Sequence, residues 1–185
     1  MISSNDLRSG MSIQQDGNLY LVLDKSNNKT AMRQMIIKVK VKNMRTGSVT
    51  ELSFTGGDKV EPAHIEKRPM QYLYDSGENV VLMDAETYEQ IEISKESIKW
   101  ELNFMKENAE VTVVQFESEI LGVILPEKIA LEVTEAEPAV KGDTATNAQK
   151  NAVLETGLEI RVPLFIDAGE IVVVNTTDGK YSGRA

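Results

Sequence analysis

An all-β fold is what this sequence predicts, and three observations predict it. Apolar runs are short, they alternate with polar residues, and turn-forming residues bound them at close intervals. Taken in order, Asp16-Gly17-Asn18 separates Met11–Ile13 from Leu19–Leu23, and Arg45-Thr46-Gly47 separates Ile36–Met44 from Val49–Phe54. Lys25–Gln34 then becomes the exposed tip between two strands of the first module. Asp75-Ser76-Gly77-Glu78 closes a hairpin between Gln71–Tyr74 and Val80–Met83. The strands Tyr88–Ile93, Val111–Phe116, Ile120–Ile124, Ile129–Val133, Leu158–Val162, Ile171–Asn175 and Gly179–Ser182 follow. One helix is expected: Ser94 as N-cap, then Ile98, Leu102 and Met105 at i, i+4 and i+7, a stripe suited to plug a barrel end. Trp100 reads as core.

The charge is partitioned along the chain. Residues 1–64 carry a net +3, residues 65–127 a net −9 and residues 128–185 a net −3, within an overall −9. With turn signals near the same places, this predicts three modules, 1–64, 65–127 and 128–185. Modules that small bury limited surface and lean on their neighbours. A basic head on an acidic body touches polyanions at chosen places rather than coating them.

The head owes its charge to one segment. From Lys25 to Gly47 there are seven cations (Lys25, Lys29, Arg33, Lys38, Lys40, Lys42 and Arg45) and no carboxylate. Lys38, Lys40 and Lys42 alternate with Val39 and Val41, so a strand puts the lysines on one face and the valines on the other. A solvated strand face would look the same locally. The missing acids over 23 residues favour a polyanion contact, most plausibly phosphate.

Enzymatic readings fare badly. There is no cysteine, so no disulfide, thiolate ligand or cysteine nucleophile, which suits the cytoplasm. The single histidine, His64, lies in Glu61-Pro62-Ala63-His64 with no second His or Cys to cooperate, against a zinc site or a His-based triad. Gly56-Gly57 leads into no helix, so it is not a phosphate-cradling loop. No run of about 18 apolar residues exists to cross a membrane, and Met1–Asp6 has neither the basic start nor the apolar stretch of a signal peptide. Neither a cofactor nor a metal is expected, nor any small-molecule substrate.

A sharper signal lies near the C-terminus. Lys150-x-Ala152-x4-Gly157-x2-Ile160-x-Val162-Pro163-x2-Ile166-x2-Gly169 reads locally as a loop, a turn, an apolar strand ending at proline, and a second turn. The same spacing resembles the signature of the bacterial elongation factor P family. The resemblance runs end to end, through Asn5-Asp6-Leu7-Arg8-Ser9-Gly10-Met11, Lys42–Gly47, Met70-Gln71-Tyr72-Leu73-Tyr74, Lys141-Gly142-Asp143-Thr144-Ala145 and Tyr181-Ser182-Gly183-Arg184.

That resemblance implies three consecutive small β-barrels, an SH3-like or KOW-like barrel followed by two OB-fold barrels, in an elongated, bent, tRNA-like shape. It implies a translation factor and no enzyme: a cytoplasmic monomer that binds the 70S ribosome beside the peptidyl-tRNA and promotes peptide bond formation at polyproline stalls. It places a first-domain tip loop at the tRNA end, here Lys29, Met32 and Arg33, with phosphate contacts at Lys38, Lys40 and Lys42. It assigns ribosome, mRNA or tRNA contacts in the last domain to Gly142, Asp143, Thr144, Tyr181 and Arg184; Tyr181 could equally be core. One departure stands out. The family usually shows Lys-Pro-Gly-Lys-Gly at the tip, with the second lysine commonly modified; here a gap-free alignment gives Lys29-Thr30-Ala31-Met32-Arg33. Met32 offers no amine, so Arg33, with Lys29 as helper, is the expected tip cation. Two other readings remain: a paralogue with a regulatory role, and a general RNA-binding OB protein. The latter wants aromatic stacking platforms, which Lys25–Gly47 lacks.

Overall fold

The computed structural model describes residues 1–28, 35–140 and 148–185, and it is all-β. The chain divides into two compact units, Met1–Glu66 with Gln115–Leu121 and Lys67–Val114 with Gly122–Ala185. The first unit is built on strands β1 (Ile2–Ser3), β2 (Ser12–Gln15), β3 (Asn18–Asn28), β4 (Ile36–Asn43), β5 (Val49–Thr55) and β6 (Lys59–Pro62). They form one sheet in the order β1-β6-β2-β3-β4-β5. Gln15 pairs with Asn18, which leaves a two-residue turn with Asp16 at φ 50° and Gly17 at φ 76°. Two positive φ values match the twist of the strands they join, which is why Asp-Gly closes hairpins. Leu7, Ile13, Val22, Ile37, Val39, Val41 and Val60 make the core beneath this sheet.

A second sheet has the order β11-β10-β7-β8-β9, from β7 (Ile65–Asp75), β8 (Asn79–Asp84), β9 (Gln90–Ser94), β10 (Glu110–Phe116) and β11 (Glu119–Ile124). A third has the order β14-β13-β12-β15-β16, from β12 (Lys128–Ala136), β13 (Gln149–Leu154), β14 (Glu159–Pro163), β15 (Ile171–Asn175) and β16 (Tyr181–Arg184). All neighbours with a resolved register run antiparallel. Among the described residues no helix is long and apolar enough to cross a membrane.

The expected helix after Ser94 does not form. Two 3₁₀ turns, Lys95–Ile98 and Glu101–Phe104, take its place, and the Ser94 side chain makes no capping bond. Ile98 ends the first turn and Phe104 the second, and both are fully buried; of the expected stripe Met105 is also buried, while Leu102 is only half-buried. Phe104 enters the core of the third sheet beside Leu131, Leu154 and Val174. Trp100 is not core; it stays half-exposed, edge-on to Phe104 at 5.4 Å, with its indole N–H donating to the Thr176 carbonyl at 2.8 Å. Gly179 sits against it at φ 71°, where a Cβ would come within 3.2 Å of the indole.

Two further differences concern strands. Residues 149–154 form β13 rather than a loop: Lys150, Ala152 and Leu154 point into the protein, and a lysine and an alanine disguise that apolar face. The β3 strand continues to Asn28, so Lys25–Asn28 are strand and not tip. Its partner β4 sets the geometry of the basic segment.

Candidate nucleic-acid interface

The β4 strand alternates as its residues dictate. Ile37, Val39, Val41 and Asn43 are buried, whereas Lys40 and Lys42 are exposed and Lys38 is half-buried. Each of the three aliphatic side chains gains about 1.5–3 kcal/mol from burial, and a slip of one residue would drive the lysines into the core. Hydrophobic burial on one face therefore fixes the lysines on the other.

The neighbouring strands change the electrostatics of that face. Lys40 lies directly across from Asp24 on β3 and from Glu51 on β5. Glu51 pairs with the Lys38 ammonium at 3.1 Å. Lys42 faces Leu21 and Val49. The carboxylate-free run in the sequence is thus flanked in space by two acids that it cannot show. Arg45 is also engaged. Its guanidinium grips Glu119 through two bonds of 2.8 Å and donates a third to the Gly17 carbonyl, also at 2.8 Å. Glu119 holds the Arg45 pKa up, and Arg45 holds the Glu119 carboxyl below the usual range, in each case chiefly through the side-chain hydrogen bond. Lys25 turns to the Asn5 carbonyl. Among the described residues, Lys40 and Lys42 enter no ion pair.

Lys29, Met32 and Arg33, and likewise Gly142, Asp143 and Thr144, lie outside the described residues. Tyr181 is half-buried, packed against the third core and opposite Val174. Arg184 does not dangle. One of its nitrogens, Nη2, donates to Glu170 at 2.7 Å, and the guanidinium carbon lies 4.9 Å from the centre of the Phe165 ring.

The motif that first singled out this end of the chain is scaffold. Ala152, Ile160, Val162 and Ile166 are buried in the third core. Gly157 and Gly169 occupy turns at φ 85° and 88°. Lys150 is almost fully buried, with its ammonium 3.3 Å from the exposed Asp167. Phe165, at one of the positions the motif leaves unspecified, is 59% exposed between the buried Val162 and the fully buried Ile166.

Among the described residues no group of three His, Cys, Asp or Glu side chains could hold a metal ion. The site is thus one strand face that carries lysines and one guanidinium set over an aromatic ring, both on an all-β fold. Three family models cover nearly the whole chain: the elongation factor P KOW-like domain over residues 3–60, its OB domain over 65–123, and the elongation factor P C-terminal domain over 129–184. Elongation factor P from Mesoplasma florum is 52% identical over 184 residues, spanning 100% of both chains, and that of Mycoplasma mycoides subsp. mycoides matches equally. The solved eukaryotic translation initiation factor 5A from Methanococcus jannaschii shares the fold, with TM-score 0.54 and 24% identity over 66% of this chain and 92% of its own. The chain belongs to the elongation factor P family, a family of translation factors rather than of classical enzymes.

Proposed function

We propose that this protein is a cytoplasmic monomer that binds the ribosome beside the peptidyl-tRNA and promotes peptide bond formation at polyproline stalls. Family membership supports the ribosome as partner, and the observation that carries the rest is the exposed Lys40–Lys42 edge of β4. This edge leads towards the segment containing Lys29, Met32 and Arg33, which on this reading meets the tRNA end. Gly142, Asp143 and Thr144, with Tyr181 and Arg184, make the contacts of the last domain, and the modules 1–64, 65–127 and 128–185 act as the three domains.

The chemistry is positional. Proline is a rigid, poorly placed nucleophile, and holding donor and acceptor in a near-attack arrangement removes entropy from the barrier before reaction begins. Each tenfold gain in rate needs only about 1.4 kcal/mol of such help. Lysines on a strand face supply phosphate contacts without base specificity, as a factor serving many tRNAs requires. The test is translation of a template encoding consecutive prolines, with and without the protein. The expected result is relief of the stall by the wild type and reduced relief by Lys40→Gln/Lys42→Gln. Equal stalling with and without the wild-type protein would refute the reading.

A further inference from the structure

Phe165 is the largest side chain of its loop and is 59% exposed, although hydrogen bonds from the N–H groups of Ile166, Asp167 and Gly169 hold the backbone that follows it. Ile166 is fully buried, and its N–H donates to the Pro163 carbonyl at 3.1 Å. The Asp167 N–H donates to Glu170 Oε2 at 2.9 Å, and the Gly169 N–H to the Val133 carbonyl at 2.7 Å. Lys150 ties Asp167 from below. A loop held this tightly has no need to leave an aromatic ring in water, and burying its neighbour Ile166 on the other side is what turns the ring outward.

Arg184 completes the arrangement. Glu170 Oε1 holds Nη2 at 2.7 Å while Oε2 is occupied by the loop backbone, so one carboxylate locks both loop and guanidinium. The Phe165 carbonyl, 3.5 Å from the same nitrogen, adds to the hold. Among the described residues Nε and Nη1 make no hydrogen bond, and the arginine side chain is 54% exposed. A planar fork of this kind binds phosphate oxygens, and the ring beside it is 59% exposed.

We propose that Phe165 and Arg184 form a stacking platform for an unpaired RNA base, with the free edge of the guanidinium meeting the adjoining phosphate. This rests on the reading of the chain as a ribosome and tRNA ligand. An aromatic face beside a cation matches the repeating unit of a single strand, one π-surface per charge. RNA is the nucleic acid whose loops present splayed bases to aromatic rings and arginine planes.

The full-length protein is tested against two probes, both with tRNA carrying 4-thiouridine: ribosomes stalled at consecutive prolines with that peptidyl-tRNA bound, and the free tRNA. Phe165→Leu keeps an apolar side chain and removes the ring, whereas Phe165→Trp keeps a ring. The leucine variant is expected to weaken binding roughly 5- to 150-fold with an unchanged salt slope, since stacking releases no counterion, and the tryptophan variant to bind as wild type. Arg184→Ala should lower the log–log salt slope by about 0.7–0.9. Photocrosslinks should map to the peptide containing Phe165. Wild-type affinity in Phe165→Leu, equal weakening in Phe165→Trp, or crosslinks to ribosomal protein alone would overturn the platform. Wild-type binding to free tRNA that depends on Phe165, with none to ribosomes, would keep the platform and remove the ribosome reading. No binding of wild type to either probe would remove both.

Discussion

The lysine face of β4 and the Phe165–Arg184 loop both present cations, and they hold them in opposite ways. On β4 the backbone is rigid and two charges are loose: Lys40 and Lys42 enter no ion pair among the described residues, on the face opposite Ile37, Val39 and Val41, while Lys38 is held by Glu51. At the loop the charge itself is fixed, with a carboxylate on one side and an aromatic ring beneath. Loose charges lose little by following a backbone wherever it runs, which suits attraction without register. A clamped guanidinium has already given up its rotamer freedom, about 2 kcal/mol for an arginine, and can therefore act at one place in one orientation. The first region suits capture and the second suits alignment.

The comparison breaks most visibly if the support under each region is removed. Ile37 and Ile166 are both fully buried, and replacing either with alanine should cost about 2–5 kcal/mol. Their effects on RNA binding should differ. Measured well below the melting transition, Ile37→Ala should retain most affinity, because the lysine stems absorb small shifts of the strand. Ile166→Ala should lose several-fold, because the Phe165 ring is aimed by its neighbour. Equal losses would mean the β4 lysines are as tightly placed as Arg184.

How much of this was legible in the sequence varies by physical cause. The β-hairpins were, because Asp16-Gly17 and Asp75–Glu78 encode turns directly, and so was the inward–outward alternation of β4. The 3₁₀ segment was not: Ile98, Leu102 and Met105 mimic a helical stripe, and only the third core shows that Phe104 is the anchoring side chain. Neither were the acids beside the basic arm: Asp24 and Glu51 lie opposite Lys40 on the neighbouring strands, Glu51 pairs with Lys38, and Glu119, which holds Arg45, comes from residues far along the chain. The family signature was legible and structural at once. Its fixed positions build the loop, and the exposed Phe165 occupies one it leaves open.

Salt dependence sharpens the contrast next. Replacing Lys38, Lys40 and Lys42 with Gln should lower the log–log slope of ribosome binding, by roughly 0.7–0.9 for each phosphate that is no longer neutralised. The share of Lys38 should be smallest, because Glu51 already serves as its counterion. Single variants measured from low to moderate salt resolve the order. A Lys38→Gln variant that costs as much slope as Lys42→Gln would show that the ion pair opens on binding.

Acid provides a smaller handle, to which Glu119 contributes in the first unit and Asp75, Asp84 and Glu137, whose pKa values are also lowered, in the second. Glu119 has a folded pKa depressed below its ordinary value of 4.5, through the hydrogen bonds from Arg45. A depressed carboxylate contributes stability that is present above the unfolded pKa and is lost as pH falls through the folded one. Stability of the first unit should therefore decline as pH drops below about 4.5, and Glu119→Gln should flatten that decline while leaving neutral-pH binding by Lys40 and Lys42 unchanged. Thermal melts between neutral pH and about pH 3 measure it. An identical acid slope in the variant would show that the Arg45–Glu119 bond adds nothing in solution.

The finest test sets two carboxylates against each other. Glu51→Gln and Glu170→Gln each make an acidic protein one charge more positive, so long-range electrostatics alone predicts that both bind RNA more tightly. Local geometry predicts opposite signs. Glu51 competes with phosphate for Lys38, so its removal should free that ammonium and tighten binding up to a few-fold, most at low salt. Glu170 holds Arg184 above Phe165 and the Asp167 N–H below it, and a glutamine has one acceptor oxygen where two are used. Its removal should release the guanidinium and weaken binding by a similar factor despite the added positive charge. Affinity for stalled ribosomes, measured for both variants at two salt concentrations, decides between the two accounts. Tightening in both would reduce the loop to another patch of charge and erase the distinction between capture and alignment.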